Sequence, residues 1–439
     1  MAFTATTNWE VETTGSDNNG GGFDSAASGT DYSYGVGQTT IAYTDIVIGG
    51  TTTQGTSVIR PFIAADVGNV LNIVSGTNFT VQRVQIASVT TGTATFDKSL
   101  GTAGGSGGTG TLGGALATPG QAAAVQATGN SVYIKAGTYA MGTGTANTAG
   151  NRVVTTIAGT GSNQVIWQGY QTTRGDSGTA PLLQNSGNTA NAVFDTSGVT
   201  GITVENISVD GASGATMTGF SGGVSVMHRR CKAINCPTAG FQASASASIY
   251  ELCESASNGI GFNGRAFLYY CNAHGNSSNG FVISSGTANV SHCLAYGNTG
   301  AGFINTGIQC TYGDCTSYNN GTFGFSITGS SILTITTMNC LAFNNTTKDF
   351  NWSTGTKNYM FNCAYGTVAG AGINESPIVL TANPFNNAAG NDFTLNNVSG
   401  GGNLARSSTK LIFMGSSTTT YKDVGAAQHQ DNPPFNLSE

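Results

Sequence analysis

Charge is what this 439-residue chain has least of. Only 8% of its residues are Asp, Glu, Lys or Arg, against about 25% in ordinary soluble domains. A basic stripe is missing apart from Arg229-Arg230-Cys231-Lys232, so the phosphate neutralisation behind nucleic-acid binding has no source. No run of 18 apolar residues occurs, and no membrane span is expected. The opening residues, Met1-Ala-Phe-Thr-Ala-Thr-Thr-Asn-Trp-Glu10, have neither a basic start nor an apolar stretch, so no signal peptide is expected. No segment is Leu- or Ala-rich at helical spacing, and HExxH, P-loop lysine and GxSxG motifs are absent. Disorder does not follow from the low charge, because the 21 Phe and 15 Tyr recur periodically and disorder goes with few aromatics. The net charge is −6, and residues 1–100 hold eight acids against three bases. The remaining surface is Thr, Ser, Asn and Gly, whose contacts are insensitive to salt.

What is present is a repeat. Cys231/Phe241, Cys253/Phe262, Cys271/Phe281, Cys293/Phe303, Cys315/Phe325 and Cys340/Phe350 are Cys–Phe pairs, and Cys363 begins one more unit. Successive Cys spacings are 22, 18, 22, 22, 25 and 23 residues. A period of this length with a constant internal register means a solenoid, in which each unit buries its apolar face against the next. Two after the Cys stands a small residue: Ala233, Ser255, Ala273, Ala295, Ser317, Ala342. Five after it stands Asn258, Asn276, Asn298, Asn320 or Asn345, read here as a turn residue that tolerates left-handed backbone. A Gly precedes the Phe at positions 240, 261, 280, 302 and 324, where it would permit the corner. Stacked at about 4.8 Å, like residues form Cys, Asn and Phe ladders.

This pattern of short strands and sharp turns resembles the right-handed parallel β-helix of pectate-lyase-like proteins. A leucine-rich-repeat consensus and the GGxGxD of calcium-binding rolls are both absent. Val132–Tyr139 and Ile202–Gly211 read as earlier rungs, giving a β-helix of roughly eleven coils and about 50 Å. The fold expected is all-β: a β-rich N-terminal domain over 1–115, the β-helix over 116–380 and a loop-rich C-terminal cap over 381–439. Val70–Val74 and Val81–Val89 alternate as strands, and Gly101 to Gly114 reads as a Gly-rich boundary. Its Gly108-Thr-Gly110-Thr-Leu-Gly113 matches GxGxxG, without the following helix that a nucleotide site needs.

The odd count of nine Cys, seven of them in register, points to buried free thiols acting as small apolar groups, a pattern suited to a reducing cytoplasm. Sequence leaves open a disulfide between neighbouring rungs. No metal or other cofactor is expected, since the Cys231/Cys236 and Cys310/Cys315 spacings are too loose for zinc.

Trp9, Thr13–Phe23, Asp31–Ser33, Leu112-Gly-Gly-Ala115, Asn383-Pro-Phe385 and Val424-Gly-Ala-Ala-Gln428 resemble segments of a family of bacteriophage virion proteins with β-helix bodies. The resemblance implies a surface protein of the particle, on the head as decoration or cement, or on the tail as a spike. It also implies a homotrimer attached to capsid or tail proteins through residues 1–115, with Trp9, Phe23 and Tyr32 as anchoring candidates, assembled in the bacterial cytoplasm. Neutral-polar coil faces that pack side by side favour the trimer as well.

Tailspikes of this fold often cleave polysaccharide, so paired carboxylates about 5–9.5 Å apart are the test. Glu251, Glu254 and Asp314 are the candidates under that alternative. Glu251 and Glu254, three apart, are read as one strand's opposite faces. Asp314 lies three rungs beyond Glu254, about 14 Å along the axis. No pair emerges within one chain, although one built across subunits, or with Asp176 or Asp195, stays open. Arg229, Arg230 and Lys232 beside Glu251 and Glu254 are the only lyase-like grouping. The simpler reading is rung-to-rung pairing, Lys232 over Glu254 and His292 over Asp314. Tyr296, Tyr318 and Phe343, three after their Cys and preceded by His274, form an aromatic row in which Tyr296 and Tyr318 are candidates for stacking glycan rings; the simpler reading is that the row covers the core or a subunit contact. The expectation is a non-enzymatic structural virion protein, most simply a capsid decoration protein; the alternative is a trimeric tailspike that binds, or also cleaves, host polysaccharide.

Overall fold

A computed structural model describes residues 3–35, 38–142, 152–187, 190–212, 216–243, 248–284, 286–307, 309–328, 334–352, 358–369, 373–375, 377–406 and 424–426. The chain forms two compact units, Met1–Asn188 with Val193–Ser208, and Val209–Glu439 with Thr189–Ala192.

In the second unit three parallel ladders run side by side. The first takes Met227–Arg229, Ser248–Glu251 and their successors. The second takes Lys232–Ile234, Glu254–Ala256 and onward. The third carries the phenylalanines, from Thr216–Gly222 and Ala239–Ala243. This is a parallel β-helix. Its Phe ladder holds seven rings, Phe220, Phe241, Phe262, Phe281, Phe303, Phe325 and Phe350, with centroids 4.6–5.1 Å apart and planes within 9° of parallel. Phe220 heads the stack without a Cys before it, which hid it from the register.

All nine cysteines are buried and free. The residue before each in-register Cys turns the corner in left-handed backbone: Arg230, Leu252, Tyr270, His292, Asp314, Asn339 and Asn362 have φ of 50–55°. The thiol then donates to the carbonyl two residues back, at 3.3–3.5 Å, from Cys231 onward to Cys363. Cys thus fills a small interior site and adds a weak second donor to a carbonyl that already accepts the corner N–H of the coil before, as Glu251 O does from Arg230 at 3.0 Å.

The Asn five after the Cys is not the turn residue. The left-handed position is one earlier, at Asn235, Ser257, Gly275, Gly297, Asn319 and Asn344, and the ladder Asn is buried. Its carboxamide runs from coil to coil. Asn258, Asn276, Asn298 and Asn320 each accept no bond from their own turn; their backbone N–H groups donate to the next Asn Oδ1 at 2.9–3.1 Å. The Gly before the Phe answers to this ladder and not to a corner. A Cβ on Gly302 would meet Ser317 Oγ at 2.3 Å and Asn320 Nδ2 at 2.9 Å.

In the first unit, Thr40–Ile48, Gln54–Thr56, Thr93–Phe96, Gln82–Thr90, Val70–Phe79 and Gly101–Gly113 close a barrel in that order. The Gly-rich stretch is therefore a strand rather than a linker, paired with both Thr40–Ile48 and Val70–Phe79. Glycine is needed for closeness: a Cβ on Gly110 would lie 2.4 Å from Asn72 O, and one on Gly108 2.6 Å from the Phe79 ring. Strand Thr7–Val11 pairs instead with Ser131–Lys135 in parallel, as a rung of coil beside Val165–Tyr170.

The tail lies along the side of several coils. Its hairpin, Phe385–Asn387 with Asp392–Leu395, packs Phe385, Phe393 and Leu395 onto Leu341, Phe343, Tyr318, Tyr296 and Leu294 of the second ladder's outer face. Of the Asp423–Gln428 stretch, Asp423, Ala427 and Gln428 lie outside the described residues; Ala426 N–H donates to Thr316 Oγ1 at 2.8 Å.

Candidate functional site

The outward acids of the β-helix occupy corners and strand ends. Glu251 closes strand Ser248–Glu251 and Glu254 opens Glu254–Ala256, with the Leu252 corner between them. They stand on different sheets, so the single strand read from their spacing does not exist. Glu251 is 3.5 Å from Arg229, one coil back. Glu254 is 3.0 Å from Lys232 on one side and 3.1 Å from His274 on the other, and these partners hold its carboxyl below the usual range. Asp314 belongs to the corner row: His292 Nε2 is 3.8 Å away, Asn339 Nδ2 donates to it, and Asn362 Nδ2 donates on to Asn339 Oδ1 at 3.0 Å. The expected overlays of Lys232 on Glu254 and His292 on Asp314 are both present.

The aromatic row His274, Tyr296, Tyr318, Phe343 is in register on the second ladder. Its faces are not open for sugar. His274 stacks on Tyr296 at 4.8 Å, Phe393 covers Tyr296 at 4.8 Å, and Phe385 meets Tyr318 edge-on at 5.3 Å. The tail hairpin takes the place a glycan would need.

The anchoring candidates also face inward. Trp9 is 0% exposed with its indole N–H on Asn130 Oδ1 at 2.9 Å, and Phe23 is 8% exposed. Tyr32 lies against the barrel core with its hydroxyl on Asp66 at 3.1 Å. Trp9 and Phe23 therefore offer no exposed apolar surface, and Tyr32 is half-buried.

One acid pair does exist, in the first unit, outside the coil register. Trp9-Glu10-Val11-Glu12 alternates, so Trp9 and Val11 enter the core while Glu10 and Glu12 share the other face. That face is covered by the segment after Tyr170. The Tyr170 hydroxyl donates to Glu10 and lies 3.4 Å from Glu12 Oε1. Arg174 donates from Nε to Glu10 Oε2 at 2.8 Å and from Nη1 to Asp31 at 3.0 Å. Its guanidinium lies 4.1 Å from the centre of the Tyr34 ring and 4.8 Å from that of Tyr133. Lys135 pairs with Glu12 at 3.2 Å. Burial pushes the Glu10 carboxyl up to about 8, against the pull of Arg174 and Tyr170. Such a carboxyl could donate a proton, the property of a general acid. Yet Glu10 is 0% and Glu12 5% exposed, and Arg174 closes the way in. The Glu-x-Glu spacing was the available signal; its covering groups are more than 120 residues away in sequence.

Among the described residues, no group of three or more His, Cys, Asp or Glu could hold a metal ion.

No family model and no curated protein matches the chain. Solved structures do. Pectate lyase Pel9A is 15% identical, with 71% of this chain and 91% of that chain covered and a TM-score of 0.53. The ORF18 protein of Geobacillus virus E2 is 13% identical over 57% of this chain and 52% of its own, with a TM-score of 0.43. The A-module of Azotobacter vinelandii mannuronan C-5 epimerase AlgE4 is 14% identical over 60% and 76%, with a TM-score of 0.39. At these identities the likeness concerns the fold alone, and the fold is the pectate-lyase-like parallel β-helix.

Proposed function

We propose that the chain is a non-catalytic structural protein displayed on the surface of a bacteriophage particle, of the capsid-decoration type. In this reading its N-terminal region attaches to the particle and its β-helix is a stiff homotrimeric body. The observation that carries the reading is how the polar groups of the β-helix are used. Asn carboxamides tie coil to coil, Glu251, Glu254 and Asp314 pair with the neighbouring rung, and Tyr296 and Tyr318 lie under the tail. Groups so engaged resist the displacement that substrate binding requires, and they stiffen the rod. The resemblance of the N-terminal and tail segments to phage virion proteins supplies the location. Many copies on a lattice would hold by avidity even where each contact is weak.

Cryo-electron microscopy of particles carrying the chain tests this. Density on the capsid lattice, in threefold clusters, is the expected result. The tailspike alternative has its foothold in the Glu10–Glu12 pair. Density at the tail tip, with depolymerisation of host polysaccharide that Glu10→Gln abolishes, would replace our reading with that one.

A further inference from the structure

We infer that the loop Ser57–Ile63 is the plug by which the N-terminal barrel seats in an apolar pocket of a neighbouring particle protein, a pocket with a basic rim. The inference rests on the proposed virion role and names the surface that serves it.

The loop is built inside out. Val58 is 89% exposed, Ile59 74% and Ile63 50%, the first two being the most exposed large apolar side chains among the described residues. Between them the charged residue turns inward. Arg60 bonds Asp66, which is 0% exposed, and the Tyr43 hydroxyl. Phe62 goes to the core, stacked on Tyr43 at 4.7 Å. Solvent would favour the opposite arrangement, with the guanidinium out and the aliphatic groups in. Exposed apolar groups on a rigid support mark a contact surface.

The support is rigid because one carboxylate organises it. Asp45 accepts from Val58 N–H at 2.7 Å, Ile59 N–H at 2.9 Å and Ser57 Oγ at 2.5 Å. Ile63 N–H is held by Asp66 at 3.0 Å. A tip already ordered loses little freedom on docking.

Shape and charge select the occupant. Three partly exposed aliphatic side chains on a convex tip fall well short of the roughly 800 Å² per partner of a standard interface, so the tip meeting its own image in a second copy is disfavoured. A concave pocket can surround it. Arg60 is tied down and Asp45 is the ionised group at the base, so the loop offers an anionic lipid surface no cation. The same Asp45 suits a Lys or Arg on a protein rim.

The test uses the full-length chain and particles assembled without it. Wild type is expected to cosediment with these particles, and the double variant V58D/I59D to bind at least about 10-fold more weakly. V58S/I59S should fall between them. Unfolding temperatures should match wild type, because both side chains point outward. D45A, which loosens the tip, should weaken binding by a smaller factor. Equal binding by wild type and V58D/I59D overturns the plug and leaves the virion reading standing. A wild type that ignores the particles overturns both. Light scattering that shows a wild-type oligomer and a monomeric V58D/I59D would assign the loop to a second copy instead. Flotation on phosphatidylcholine vesicles, lost in V58D/I59D, would assign it to lipid.

Discussion

Replacing Asn298 by Ala should unfasten the β-helix at its middle. The Asn298 carboxamide is 2% exposed and makes four hydrogen bonds across three coils. Its Oδ1 accepts from Asn276 N–H at 3.1 Å and Asn276 Nδ2 at 2.8 Å, while its Nδ2 donates to Asn320 Oδ1 at 2.9 Å and Ala273 O at 3.1 Å. Truncation orphans the Asn276 N–H outright. Asn276 Nδ2 keeps only a long 3.4 Å bond to Ser255 O, and Ala273 O loses a donor. Asn320 Oδ1 retains the backbone N–H of residue 298. One complete and two partial losses, at about 1–3 kcal/mol for each buried polar group left unpaired, put the destabilisation at roughly 2–5 kcal/mol. Asn298→Leu separates bonding from volume, since it fills the site and still orphans the same groups. Both variants should destabilise comparably. Stacked coils need not unfold in one step, so native-state amide exchange is the appropriate assay. The Asn276 amide should lose protection first, and terminal coils later. If Leu restores wild-type protection, or if Ala changes it by less than about 0.5 kcal/mol, the ladder is packing and the hydrogen-bond reasoning is wrong.

Phe281→Ala should cost about 3–5 kcal/mol, because the ring is 0% exposed and stacked on Phe262 and Phe303 at 4.9 and 4.8 Å; denaturant unfolding compared with the milder Phe281→Leu checks it. His228 gives the pH dependence: it is 0% exposed among Phe220, Phe241 and Tyr250, and burial pushes it down to about 3. The unfolded imidazole takes a proton below about 6.5 and the folded one does not, so its contribution is complete above pH 6.5 and is lost as pH falls toward 3. Wild type should lose about 2–3 kcal/mol more than His228→Phe between pH 7 and 4.5; parallel pH profiles for the two proteins would dismiss the assignment.

The repeat was legible because stacking converts sequence period into spatial contact. Every pair the period linked, from Cys231 to Phe350, stacks as read. What a period reports is that residues coincide, not what they do there. Asn298 was read as a turn former, and its burial follows from the neighbouring Gly297, which takes the left-handed position with φ 60°. Contacts without period left no trace. Glu10 meets Tyr170 across 160 residues, and Phe393 reaches Tyr296 from the tail, so the buried acid pair and the covered aromatics were both out of reach. Trp9 and Phe23 came from the resemblance alone, which could not show that strand Thr7–Val11 is a rung of the coil, paired with Gly22–Asp24, where both side chains are buried. Gly101 to Gly114 looked like a boundary because composition cannot separate glycine that bends from glycine that allows two backbones to approach.

Scarcity of charge gives the acids of this chain their meaning. Where a tight loop gathers several N–H groups, a carboxylate is the strongest acceptor available. Asp176 takes the N–H groups of Gln171, Thr172 and Thr173 at 2.7–2.8 Å. Asp17 takes those of Ala117 and Thr118, both at 3.0 Å. Asp349 ends the Asn ladder: Oδ1 accepts from Asn345 Nδ2 at 2.8 Å, and Oδ2 from Gly366 and Thr367 N–H at 2.9 and 2.7 Å. A ladder of carboxamides needs such a terminus, since its last Nδ2 has no further Asn to meet. At the other end Cys236 stands in the Asn position, and its N–H donates to Asn258 Oδ1 at 2.7 Å. These acids fix backbone, and at Asp176 the N–H bonds bring the carboxyl down to about 2. Glu10 is bonded by the Tyr170 and Arg174 side chains, and burial raises its carboxyl to about 8. Should particles bearing the chain degrade polysaccharide, Glu10→Gln tests that raised carboxyl first, and Glu251, Glu254 and Asp314 follow.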